Sequence, residues 1–218
     1  MKSHRFMLSA VLITLSTIAF AQSDTSKLDA QKPDAQKSDA QKSSVAAAPS
    51  EAEKSFSTMK SLAGEWEGPV TIVDMPEAMR AKLGVDKQTP MHVSLRVTSR
   101  GNLLVHEMQE AGTPLDATKY DHPVTMVYLE GDQINLVHYC DAGNRPRMAG
   151  KLSPDGKTVE FAFVDITGRN QKQHMDHGIF TIVDADHHTE DWTFMMGDVP
   201  LHARSDLHRT NSGSTSGK

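Results

Sequence analysis

The sequence predicts an all-β domain: a single antiparallel meander of about ten strands closed into a β-barrel. A short helix precedes the barrel, and a short helical lid follows the first strand. Three observations carry this. Runs of alternating apolar and polar residues recur between turn signals every dozen residues or so. The connectors have hairpin chemistry, as in Ser99-Arg100-Gly101-Asn102, Gly131-Asp132, Ser153-Pro154-Asp155-Gly156 and Ala185-Asp186, where Gly, Asn or Asp can take positive φ. The tripeptide Gly64-Glu65-Trp66 stands between a helical-looking segment, Glu53 to Ser61, and the first run.

In chain order the strands are expected at Trp66–Val73, Met91–Thr98, Leu103–Gln109, Val124–Glu130, Gln133–Cys140, Pro146–Leu152, Thr158–Asp165, His177–Val183, His188–Met196 and Ala203–Thr210. Between the first two, Pro76 to Leu83 reads as a short helix or lid, with Pro at its first position and Gly84 just past its end. A meander of this length leaves two bare edges unless it closes, and closure removes both.

The ends are of a different kind. Lys2, His4 and Arg5 form a basic start, Phe6 to Phe20 is an uncharged apolar run, and Ala19-Phe20-Ala21 is a small-residue cleavage signal. Residues 1–21 therefore read as a secretory signal peptide, cut before Gln22, with the mature chain periplasmic or secreted and without a transmembrane segment. Residues 22–54 are low in complexity, with Asp-Ala-Gln-Lys repeated at 29–32, 34–37 and 39–42. A segment with so little apolar bulk cannot offset its ordering entropy, and reads as a disordered tether. Residues 55–211 form the barrel domain, and 212–218 a Ser/Gly-rich disordered tail. Removing Lys2 and Arg5 takes the formal charge from −5 to −7. A mildly acidic chain with no basic block is a poor partner for nucleic acid. Cys140 is the only cysteine, so no internal disulfide exists.

Two hairpins set which side chains share a face. With Gly131-Asp132 as a two-residue loop, Glu130 pairs with Gln133, Leu129 with Ile134, Val127 with Leu136 and Thr125 with His138. The face with Val127, Leu129, Ile134 and Leu136 is the more apolar, so His138 and Cys140 are expected to point inward. With Ala185-Asp186 as the loop, Val183 pairs with His188, Thr181 with Glu190, Ile179 with Trp192 and His177 with Phe194. The register of the hairpin over 146–165 stays open by one residue, and with it the direction of Arg147.

At this point the chain resembles the calycins, the lipocalins and their barrel relatives, and is most similar to a bacterial lipocalin-like family of unknown function. The resemblance rests on the helix before Gly64-Glu65-Trp66, the ten-strand meander, Arg209 near the end of the last strand, and the stretch His138 to Met148. It covers most of residues 55–211. It implies that Trp66 packs on Arg209 and plugs the barrel base, with Gly64, Trp66 and Arg209 as a structural motif. The chain lacks the Thr-Asp-Tyr motif and the disulfides of the better-known lipocalins.

The interior then offers His138, Arg147, Glu190 and Trp192 as ligand-binding candidates, with His138 at the mouth and Arg147 meeting an anionic group. The bland alternative makes His138 a satisfied core or rim side chain. His177, His188 and Glu190 are weak metal candidates because residues i and i+2 share a face, but no closed zinc spacing is present. No cofactor is expected. Haem, bound in some ten-strand barrels through one C-terminal His, would need His208, which alternates to the solvent face. No paired-carboxylate, Ser-His-Asp or phosphate-loop pattern stands out. The expected function is an exported carrier or sensor of a small apolar or amphipathic molecule, and no catalytic residue is assigned. The alternatives are an enzyme using a cavity histidine, as hydrolase or isomerase, and a packed barrel serving as an interaction module.

Overall fold

The computed structural model describes residues 48–75, 80–81 and 90–210. Ten strands form one closed antiparallel barrel in sequence order, with the last strand hydrogen-bonded to the first. They are β1 (Gly64–Ile72), β2 (Pro90–Thr98), β3 (Leu103–Glu110), β4 (Val124–Glu130), β5 (Gln133–Tyr139), β6 (Asn144–Leu152), β7 (Thr158–Gly168), β8 (Gln173–Asp184), β9 (His187–Met196) and β10 (Val199–Arg209). One helix, α1 (Glu51–Ser61), precedes them. Arg80 and Ala81 are helical, inside the expected Pro76–Leu83 lid, whose other residues lie outside the described ones.

Helix α1 begins two residues before the expected Glu53 because Ser50 caps it. The Ser50 hydroxyl accepts from the Glu53 amide at 3.2 Å, and the Glu53 carboxylate takes the Ser50 N–H at 2.7 Å. Ala52, Ser55, Phe56 and Met59 recur at helical spacing and form the buried stripe. That stripe closes one end of the barrel. Phe56, Met59 and Leu62 join Trp66, Ile134 and Phe161 in a single apolar core.

The base is locked where the sheet closes on itself. Trp66 of β1 lies opposite Arg209 of β10, and the guanidinium sits 4.0 Å from the indole centroid. Trp66 donates its indole N–H to the Leu62 carbonyl at 2.8 Å. Arg209 donates to the carbonyls of Ala63 at 2.9 Å and Ala185 at 3.1 Å. Gly64 is what lets the arginine in. Its φ is +143°, and a Cβ there would stand 2.2 Å from Arg209 Nη1. The Gly-x-Trp motif is thus a glycine that vacates space and a tryptophan that fills it.

The β4–β5 hairpin has the expected register, Thr125 opposite His138 included. The β8–β9 hairpin does not. Its loop is Ala185-Asp186, with Asp184 opposite His187, but a bulge between Ile182 and Asp184 slips the ladder by one. Ile182 faces His188, Phe180 faces Glu190 and Gly178 faces Trp192, while His177 pairs with Thr193 instead of Phe194. A second irregularity, between Arg147 and Met148, settles the 146–165 hairpin: Met148 and Phe161 are fully buried, and Arg147 pairs with Asp165.

Arg209→Ala should lower unfolding free energy by about 1–2 kcal/mol through the lost cation–π contact and hydrogen bonds. Gly64→Ala should cost a similar amount by displacing the guanidinium. Because both act on one contact, the double variant should lose clearly less than the sum in urea denaturation. Strict additivity would mean that Gly64 does not act through Arg209.

Candidate functional site

Burial falls steadily from the base to the opposite end. Along the inward face of β9, His188, Glu190 and Trp192 are buried, Phe194 is half-buried and Met196 exposed. The inward residues of the neighbouring strands repeat the gradient, with Leu207 and Ser205 buried and Leu201 half-buried. Trp66 and Val93 are likewise buried, while Val70 and Met91 are half-buried. The barrel therefore has a sealed base and an apolar mouth, and a polar layer lies between them. The end of β1 at Ile72 and the start of β2 at Pro90 lie at the mouth.

Glu190 is the centre of that layer. Its side chain is 0 % exposed, and three donors converge on it. His106 Nε2, from β3 across the lumen, lies 3.0 and 3.1 Å from the two carboxylate oxygens. His188 Nε2 lies 3.1 Å from Oε1, and Trp192 donates its indole N–H to Oε2 at 3.0 Å. Burial by itself would raise this carboxyl. The charge and hydrogen bond of His106, followed by those of His188, reverse the effect and hold it well below the ordinary carboxylate range. Trp192 reaches the carboxylate because the residue opposite is Gly178, where a Cβ would stand 2.9 Å from the indole ring.

His138 forms the second part of the layer. Its Nδ1 is 2.8 Å from the Thr125 hydroxyl, and its ring lies 5.8 Å from that of Trp192. Burial, with His106 nearby, pushes its pKa down to about 4, so the ring is neutral at pH 7. Its Nε2 is buried and has no partner, as is true of Nδ1 in both His106 and His188. Buried polar atoms are nearly always satisfied. Unpartnered imidazole nitrogens facing one interior are what a polar group of a bound molecule or a water would meet.

Of the residues singled out from sequence, His138, Glu190 and Trp192 come together with His188. Arg147 does not. On β6 it alternates with the buried Pro146 and Met148, so its side chain leaves the barrel, where its Nε lies 3.3 Å from Asp165 Oδ1. The slipped β8 register removes His177 from the inner face, and its Nε2 contacts Glu160 at 3.2 Å. His188 and Glu190 are therefore not joined by the third metal candidate. His208 lies on the exposed outer face. Cys140 falls just past β5, half-buried at the rim beside Asp121 and Asp141, and burial pushes its thiol up. His106 and Thr125 complete the site. Thr125 follows from the β4–β5 register, and the signal for His106 is the β2–β3 turn at 99–102, whose register sets it opposite the buried Leu95.

These features define a closed ten-strand antiparallel barrel with a polar layer across its lumen. The fold is similar to the crystal structure of Rv2717c from M. tuberculosis, at TM-score 0.50 and 14% identity over 72% of this chain and 98% of that one. It also matches a protein of unknown function from the DUF3598 family of Nostoc punctiforme, at TM-score 0.36 and 10% identity over 70% of this chain and 48% of that one. At such identities the likeness is one of fold. No protein-family model matches the chain, and no curated protein sequence matches it.

A pH dependence follows from His138. The unfolded chain protonates this ring near 6.5, while the folded one resists until about 4. Its contribution is fully present above pH 6.5 and is lost as pH falls from 6.5 towards 4, a span worth about 3 kcal/mol. Glu190, depressed in the fold, adds stability above its ordinary value of 4.5 that is lost below it. In His138→Gln the loss between pH 6.5 and 4.5 should largely vanish from urea-unfolding curves, leaving the steeper fall below. An unchanged profile would remove His138 as its source.

Proposed function

We propose that this is an exported carrier or sensor that binds a small, mostly apolar molecule in the mouth half of the barrel. The ligand's apolar body lies against Val70, Met91, Met108 and Phe194, and one polar group meets the His138 imidazole. The observation that carries the reading is the unpartnered Nε2 of His138, buried below an apolar mouth. A neutral imidazole recognises an uncharged hydroxyl or carbonyl more readily than a free anion. The inward Glu190 and the outward Arg147 both argue against an anionic headgroup at this depth. A barrel that only needed stability would do as well with apolar side chains there, because a buried ion pair costs several kcal/mol in desolvation.

The basic start, apolar run and Ala19-Phe20-Ala21 signal support export. Among the described residues no helix is long and apolar enough to cross a membrane. The mature chain recovered from the cell envelope or medium should begin at Gln22 by N-terminal sequencing. A chain retained in the cytoplasm with Met1 intact would refute this part of the reading.

Binding is tested with a long-chain alcohol, a retinoid-like polyene, a porphyrin and a substituted aromatic ketone. At least one should raise Tm and change Trp192 emission. His138→Ala should then weaken it by roughly three- to tenfold, as for loss of one neutral hydrogen bond. Stabilisation by none of them, with a barrel filled by its own side chains, would favour the packed interaction module. A second reading, a hydrolase or isomerase, draws on the His106–Glu190 pair, an imidazole oriented by a carboxylate. Turnover abolished by His106→Gln would favour it.

A further inference from the structure

The outer wall carries a second cluster with chemistry of its own. His187 of β9 and His208 of β10 are direct cross-strand partners, so their imidazoles leave the sheet side by side. The rings stack with centroids 4.3 Å apart and planes 18° from parallel. Asp206, two residues before His208, projects from the same face. Its Oδ1 lies 2.7 Å from His187 Nε2 and 3.5 Å from His208 Nε2. One ligand atom from each of the three residues lies within 4.8 Å of the others.

We propose that His187, Asp206 and His208 bind a divalent transition-metal ion of the zinc, copper(II) or nickel class. Two imidazoles and one carboxylate are a borderline-soft donor set, which disfavours calcium and magnesium and suits these ions. Around a tetrahedral ion with Zn–N distances of about 2.0–2.1 Å the ligand atoms stand roughly 3.3 Å apart. The 2.7 Å contact therefore widens, the 3.5 Å one is already near that spacing, and the rings turn slightly out of their stack. Neighbouring strands in a closed sheet already hold two of them in place. The His208 side chain is 65 % exposed and that of Asp206 52 %, so remaining positions stay open to water or to a ligand from outside. The His106–Glu190–His188 group also joins two imidazoles to a carboxylate but is closed to solvent. The contacts of His92 with Glu65 and Glu67, His174 with Asp176, His177 with Glu160 and His202 with Asp74 hold one imidazole each. The cluster lies next to the β10–β1 seam, where Glu67 faces His208. A bound ion would pin β9 to β10 beside the residues that close the barrel.

The test is titration of zinc into the untagged, metal-stripped full chain, followed by calorimetry and thermal unfolding. Zinc should bind near one equivalent and raise Tm, and EDTA should reverse the shift. His187→Ala and His208→Ala should each weaken binding at least about tenfold, whereas His202→Ala should leave it unchanged. Cobalt(II) should give a visible absorption band in the wild type that both variants lose. All three substitutions are on the outer surface, and unchanged far-UV circular dichroism establishes that the variants fold. The proposal is overturned if wild type takes up no zinc, or if His187→Ala and His208→Ala bind it as well as wild type.

Discussion

A carboxylate removed from water must find its donors inside the protein, and the interior of this barrel is organised around that requirement at Glu190. Leaving such a charge uncompensated costs far more than any single apolar contact returns. Its partners come from distant parts of the chain: His106 from β3, and His188 and Trp192 from either side along β9. They meet only if every intervening strand is in register and the sheet has closed. The polar layer thus ties the chemistry of the site to the correctness of the whole fold. A slip of one residue in β9 would turn Glu190 to solvent and leave His106 buried without it.

The same closure divides the barrel into two ends with different tasks. At the base, Trp66, Arg209 and helix α1 remove the interior from water and leave no room for a guest. At the mouth, burial relaxes and apolar side chains of Val70, Met91, Met108 and Phe194 remain half open. Between the two, His138 stays neutral because burial and a neighbouring histidine oppose its protonation. A hydrogen-bonding group held neutral under an apolar opening is suited to a ligand with one polar point on an apolar body. The outer wall carries a separate His187–Asp206–His208 cluster, which shares no residue with the interior.

How far each feature could be read in advance depended on whether it was local. All ten strands and the helix, though not its Ser50 cap, were legible, because alternation and turn chemistry act over a few residues. The β4–β5 register was legible too: Gly131-Asp132 admits one loop, and no bulge follows it. That register alone placed His138 inside. The β8–β9 register failed for a physical reason. Its loop, Ala185-Asp186, was read as it stands, but the extra residue at Val183 shifts everything beyond it, and a bulge has no reliable mark in composition. Arg147 went astray because its hairpin left the register open by one residue, whereas β6 alternates it outward between the buried Pro146 and Met148. The β2–β3 turn sets His106 opposite the buried Leu95 on the inner face. His106 was missed because Glu190, the partner that gives it a role, lies 84 residues away.

By itself the sequence determined the barrel, its order of strands, and the pairing of Trp66 with Arg209 that its resemblance implied. These depend on short-range alternation, on turn residues, and on a motif whose glycine has no substitute next to an incoming arginine. Only the tertiary structure decided which ionisable groups share the lumen. His106 and Glu190 are 84 residues apart and meet at 3.0 Å, and the stacking of His187 on His208 needs two strands in one register. Such contacts are set by the sum of every turn, bulge and closure between them, a quantity that no local stretch of the chain contains.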